Sequence, residues 1–163
     1  MKSTKESRIA PLETALDWLD DEMEAILETK ESSSFEDLAP DQRMTYLVYS
    51  YDANVRNGGV MSFLDSQNGT RFAELGSALR AIGAGAVAKD LDAVIDILKG
   101  VRPDDPVSLR RDPDAFRALP IFSRFAEVES ESTMLYYEYE PSPLQLLYEH
   151  VKRPRKRTGH GVQ

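Results

Sequence analysis

Seven carboxylates recur at helical spacing near the start of the chain: Glu13, Asp17, Asp20, Asp21, Glu24, Glu28 and Glu31. At ~100° per residue they project into an arc of roughly 100° on one helix face. Steps of i,i+3 and i,i+4 set their charges about 5–6 Å apart along the axis. Duplex DNA carries roughly one phosphate charge per 3.4 Å of rise on each strand, so this face is a line of comparable, lower charge density. The chemistry it suits is the docking of a basic protein. Carboxylates that transfer protons sit in a pocket that perturbs them, whereas these lie in a row opposite an apolar seam. The row costs stability: Glu13/Asp17, Asp17/Asp21, Asp20/Glu24 and Glu24/Glu28 are like-charged i,i+4 pairs, each unfavourable by roughly 0.2–0.5 kcal/mol. A purely solvated helix would mix in bases, yet Lys30 is the one base between Leu12 and Asp41. A solubilising face and a docking face both fit the stripe.

Other chemistry is thinly represented. There is no Cys, which excludes disulfides, thiolate nucleophiles and cysteine-ligated metals. His150 and His160 are the two histidines, without neighbouring ligands at a recognised spacing, so no metal and no cofactor is expected. No nucleophile elbow occurs. Gly83-Ala84-Gly85 has no strand before it and no Lys-Ser/Thr after it, which argues against a phosphate loop. Tyr46, Tyr49, Tyr51, Tyr136, Tyr137, Tyr139 and Tyr148 read most simply as core and near-core packing, with a tyrosine-lined ligand pocket as the alternative. A non-enzymatic protein is expected.

The elements that position these residues read as helices. Leu12, Leu16, Leu19, Met23 and Ile26 form the seam behind the acidic stripe, with Ala15 and Leu27 flanking. Ser32 to Asp37 is a loop. Pro40 suits the first turn of a central helix, Asp41 complements its dipole, and Met44, Val48, Tyr51 and Val55 share one face. Asn57-Gly58-Gly59 should close that helix with a turn, after which Val60 to Leu64 folds back as a short third helix. Gln67-Asn68-Gly69 ends it, and Thr70 is placed to cap the fourth, whose seam is Phe72, Leu75, Leu79 and Ile82. The fifth carries Val87, Leu91, Val94, Ile95 and Leu98, ends at Lys99-Gly100, and should pair with the fourth as an antiparallel hairpin about Gly83. A Pro- and Asp-rich loop spans 101–114. Asp112-Pro113 starts a helix that Pro120 interrupts and Phe122, Phe125 and Val128 continue. Ser132 to Glu140 is ambiguous, with helix or extended connection preferred because a lone strand lacks a partner. Ser142-Pro143 with Gln145 starts the last helix, which buries Leu144, Leu147, Tyr148 and Val151.

The expectation is therefore an all-α fold, one domain of roughly seven helices over residues 12–151, between a frayed segment 1–11 and a basic, disordered tail 152–163. The net charge is −8, but Lys152, Arg153, Arg155, Lys156 and Arg157 hold five of the 20 bases, leaving 15 against 28 acids, about −13, on the body. Such a body repels nucleic acid and attracts basic partners. No apolar run approaches the roughly 20 residues of a membrane span, and the N-terminus does not resemble a secretory signal, so a cytoplasmic protein is the default.

Pro40-Asp41-Gln42-Arg43 leading to Tyr46-Leu47-Val48-Tyr49, then Asn57-Gly58-Gly59 with Phe63 behind, resembles the helical domain of the bacterial DMP-type DNA-mimic proteins. The likeness continues through Ala78-Leu79-Arg80-Ala81-Ile82-Gly83-Ala84 and is best over about residues 36–100. The resemblance implies an all-α fold and a negative surface that imitates duplex DNA. Such a surface would occupy the DNA site of a transcriptional regulator or a histone-like protein. An immunity or antitoxin-type protein that blocks a toxin is the alternative partner-binding role.

Overall fold

The computed structural model describes residues 8–152, which place seven α-helices and no β-strand. Residues 1–7 of the expected frayed segment and the tail from 153 onward lie outside them. Helix α1 (Leu12–Ser32) buries Ala15, Leu19, Met23 and Ile26. Its seam is turned slightly from the expected one: Ala15 is fully enclosed, while Leu27 stays 47% exposed. Trp18 meets Tyr148 edge-on at 5.6 Å between centroids, which fixes α1 against the last helix. Ala10, just before α1, is also tied there: its N–H donates to Glu149 and its carbonyl accepts from Gln145.

A short 3-10 turn (Phe35–Asp37) leads to the central helix α2 (Pro40–Asp65), which packs against α1, α3, α6 and α7. Pro40 occupies the first turn, and the Gln42 side chain accepts the Ala39 N–H at 2.9 Å, so two orphan backbone positions are accounted for. Tyr51 and Phe63, both essentially enclosed, meet edge-on at 5.2 Å across the middle of the helix. Such a contact adds roughly 0.5–1.5 kcal/mol to the burial itself.

The expected turn at Asn57-Gly58-Gly59 is present: both glycines leave the helical range and divide α2 into residues 40–57 and 60–65. Gly59 has φ +80°, a conformation that L side chains rarely adopt, and helix resumes directly at Val60. The side chains of Asn54 and Ser62 bond across the bend at 3.2 Å. The 60–65 segment folds back on 40–57 as expected, which is how Phe63 reaches Tyr51 and Asn68 donates to the Tyr46 hydroxyl.

The sequence expectation of a capping Thr70 also changes. Gly69–Arg71 forms a 3-10 turn that runs straight into α3 (Phe72–Ala81), and no side chain caps it. Thr70 is already inside that turn, so it lacks the extended backbone an N-cap requires. Helix α3 and α4 (Gly85–Lys99) form the expected hairpin about Gly83, whose φ is +89°, and Arg80 pairs with Asp92 across it. The Pro- and Asp-rich stretch holds a 3-10 segment (Pro106–Arg111) that buries Val107 and Ser108. Arg110 fastens it: the guanidinium grips Asp65 at 3.1 and 2.8 Å and lies 4.8 Å over the Phe116 ring.

Asp112 caps α5 (Pro113–Arg117) by accepting from the Ala115 N–H, and Pro120 separates α5 from α6 (Phe122–Tyr136). The ambiguous Ser132–Glu140 stretch is thus helical to Tyr136. Helix α6 packs on both α2 and α4. A reciprocal Ser142–Gln145 capping box opens α7 (Pro143–Val151), as the residue pattern predicts.

Candidate functional site

Helix α1 lies against α2 and α7 through its apolar seam, which leaves the opposite face to solvent. Glu13, Asp17, Asp20, Asp21, Glu24, Glu28 and Glu31 are all exposed there. Over 21 residues the helix is about 30 Å long, the length of roughly nine base-pair steps of a duplex. Lys30, the one base of α1, turns away from this row. Its ammonium donates to the Tyr46 hydroxyl at 2.9 Å and sits 4.3 Å over the Tyr46 ring. Burial raises the Tyr46 phenol, but the hydrogen bonds from Lys30 and Asn68, with the Lys30 charge, outweigh it and leave the group below its ordinary value.

Among the described residues the remaining ion pairs also lie elsewhere. Arg43, Arg56, Arg71, Arg80, Arg110, Arg117, Arg124 and Lys152 pair with acids of other elements or of their own, and none reaches the α1 row. One member of the row differs from the rest. Asp20 accepts a hydrogen bond from the Tyr49 hydroxyl of α2 at 2.5 Å. That bond, with partial burial and the Asp20 charge, pushes the Tyr49 phenol up to about 12. Asp20 is therefore both part of the face and part of its attachment.

Asn57, Gly58 and Gly59 take no part in this face. They shape α2, with Asn57 and Gly58 exposed and Gly59 buried. The kink strips the Val60 and Met61 N–H groups of their helical acceptors, and α6 replaces these. Val60 donates to Thr133 Oγ1 at 3.1 Å, Met61 donates to Glu129 Oε1 at 3.0 Å, and the Thr133 hydroxyl donates to Glu129 at 3.1 Å. Nearby, buried Asp52 accepts from Tyr136 at 2.6 Å and from Arg56 Nε at 2.9 Å. Burial, the Asp52 charge and that bond raise the Tyr136 phenol far above its ordinary range.

Sequence reasoning names none of Asp52, Glu129 and Thr133, whose bonds between α2 and α6 span 68 to 84 residues. An acid on an apolar helix face was the one available signal. Tyr46, Tyr51 and Tyr136 are core residues as expected, while Tyr137 is 52% exposed. His150 lies in the last turn of α7. Among the described residues no group of three or more His, Cys, Asp or Glu is placed to hold a metal ion, and no helix is long and apolar enough to cross a membrane.

The family model described as DMP19-like protein matches residues 36–153. The match takes in α2 through α7 and begins just after α1. No curated protein and no solved structure matches the chain.

Proposed function

We propose, from the premise that the chain belongs to the DMP19-like protein family, that it is a non-enzymatic acidic protein that mimics duplex DNA. It would occupy the DNA-binding site of a basic partner, either a transcriptional regulator or a histone-like protein. The observation that carries this reading is the uncompensated row on α1. Glu13, Asp17, Asp21, Glu24, Glu28 and Glu31 are exposed and make no ion pair with any described residue, while eight bases elsewhere pair with other acids. Lys and Arg on the partner would meet these carboxylates as they meet backbone phosphates. Contacts of that kind position a protein without reading bases, so the mimic needs charge spacing and no base-like chemistry. Screening makes the attraction fall as salt rises.

Immobilised full-length chain should retain a DNA-binding protein from a bacterial lysate at low salt. Short duplex DNA of arbitrary sequence should release it, and a neutral polymer should not. Capture of a single protein that added DNA cannot displace would overturn the mimic and favour the immunity-type role.

A further inference from the structure

A cavity of about 490 Å³ opens where α2, the end of α6 and the starts of α7 and α1 meet. Arg56, Tyr136, Tyr137, Tyr139 and Gln145 line it. Arg56 is anchored along one edge only: its Nε donates to Asp52 Oδ2 at 2.9 Å. Both Asp52 oxygens are engaged, the other by the Tyr136 hydroxyl, so the buried carboxylate fixes the inner edge of the guanidinium. The two terminal amino groups of Arg56 make no hydrogen bond to any described residue. They are a pre-set pair of parallel donors of the kind that grips a carboxylate or phosphate.

The walls add two more features. The Arg56 guanidinium stands over the half-exposed Tyr137 ring, 5.6 Å from its centroid, so a cation and an aromatic ring share this wall. Leu12 and Ser142 bring the starts of α1 and α7 to the lining, and helix N-termini carry partial positive charge. Glu140, the acidic residue of the lining, is exposed to solvent. The recess thus presents the outer edge of an Arg56 guanidinium whose inner edge is paired with Asp52, among three tyrosines.

We propose that this cavity binds a small organic anion built on a planar ring, its carboxylate or phosphate held by the outer edge of Arg56 and its ring against Tyr137. The site is independent of the DNA-mimic reading, because neither the α1 row nor a basic partner enters it.

The test uses the full chain titrated with phenyl phosphate, benzoate and phenol, followed residue by residue by NMR. Either anion should give saturable shifts centred on Arg56, Tyr137 and Ser142, with phenol at least ~10-fold weaker, the loss of about one charge-assisted bond. Arg56→Gln should weaken the anion at least ~10-fold on the same ground. Since Arg56→Gln also strips buried Asp52 of a partner, Tyr137→Ser serves as the second variant. It leaves the Asp52 pair intact and should weaken phenyl phosphate relative to inorganic phosphate. Shifts confined to the basic residues 153–157, phenol binding as well as the anions, or no saturable shift at the cavity would each overturn the site.

Discussion

The Glu129 carboxylate accepts the Met61 backbone N–H at 3.0 Å, so α6 supplies the acceptor that the kink of α2 removes. The contact crosses 68 residues of sequence and fastens two of the central helices at the point where one of them bends. Glu129→Ala should leave this part-buried N–H unsatisfied and cost about 1–3 kcal/mol in urea unfolding. Glu129→Gln retains an acceptor oxygen and should lose distinctly less. Equal losses in the two variants would assign the effect to packing rather than to the bond.

Gly59 faces the same carboxylate. A Cβ there would lie 2.6 Å from Glu129 Oε1 and 2.9 Å from Thr133 Oγ1, on a backbone with φ +80°. Gly59→Ala should therefore destabilise by about 2–4 kcal/mol, combining the backbone cost with overpacking. Gly58→Ala is the internal control. Its backbone is extended and its Cβ would meet only Ser62, at 3.2 Å, so a much smaller loss is expected in the same denaturation series.

On α1, charge and stability should separate. Replacing Asp17, Asp21, Glu24 and Glu28 with a mixture of Lys and Gln removes repulsive i,i+4 pairs, so the melting temperature should hold or rise while capture of the basic partner fails. A fall in stability with capture unchanged would give these carboxylates a structural role. Asp20 belongs to a different class because of its bond from Tyr49: Asp20→Asn should weaken that hydrogen bond and loosen α1 on α2.

Alkaline titration tests the same contact from the other side. The hydrogen bond to Asp20, partial burial and nearby acids hold the Tyr49 phenol at about 12, above its ordinary 10. Burial and the bond to Asp90 do the same for Tyr139, also to about 12. For groups raised in the folded state, the stabilisation is complete below pH 10 and is lost as pH climbs from 10 through about 12. Tyrosinate absorbance should therefore rise in stages, with Tyr46 early and Tyr49 and Tyr139 late, and in Asp20→Asn one of the late tyrosines should ionise earlier.

Much of this architecture is legible from spacing alone. The seam of α1, the α3–α4 hairpin about Gly83, the Asp112 cap and the Ser142–Gln145 box all follow from interactions within about one turn, which a sequence displays directly. The break in α2 is legible too: two adjacent glycines mark where the helix must yield, and the 60–65 segment folds back there. The neighbour that satisfies the freed N–H groups, Glu129 with Thr133, is not legible, because it is distant in sequence. Thr70 misleads for a related reason, since whether it caps depends on where the preceding turn ends. The acidic row was visible from the start. Its lack of compensation was not, because it depends on Lys30 turning toward Tyr46 and on the bases of other helices choosing other acids.

Helix α1 touches the body along a single stripe of side chains, and the family match begins only after it ends. Apart from Asp20, its outward positions bury nothing, so their charge can be rewritten without opening a cavity or stranding a buried partner. The electrostatics of this face and the packing of the core are separable properties of one fold.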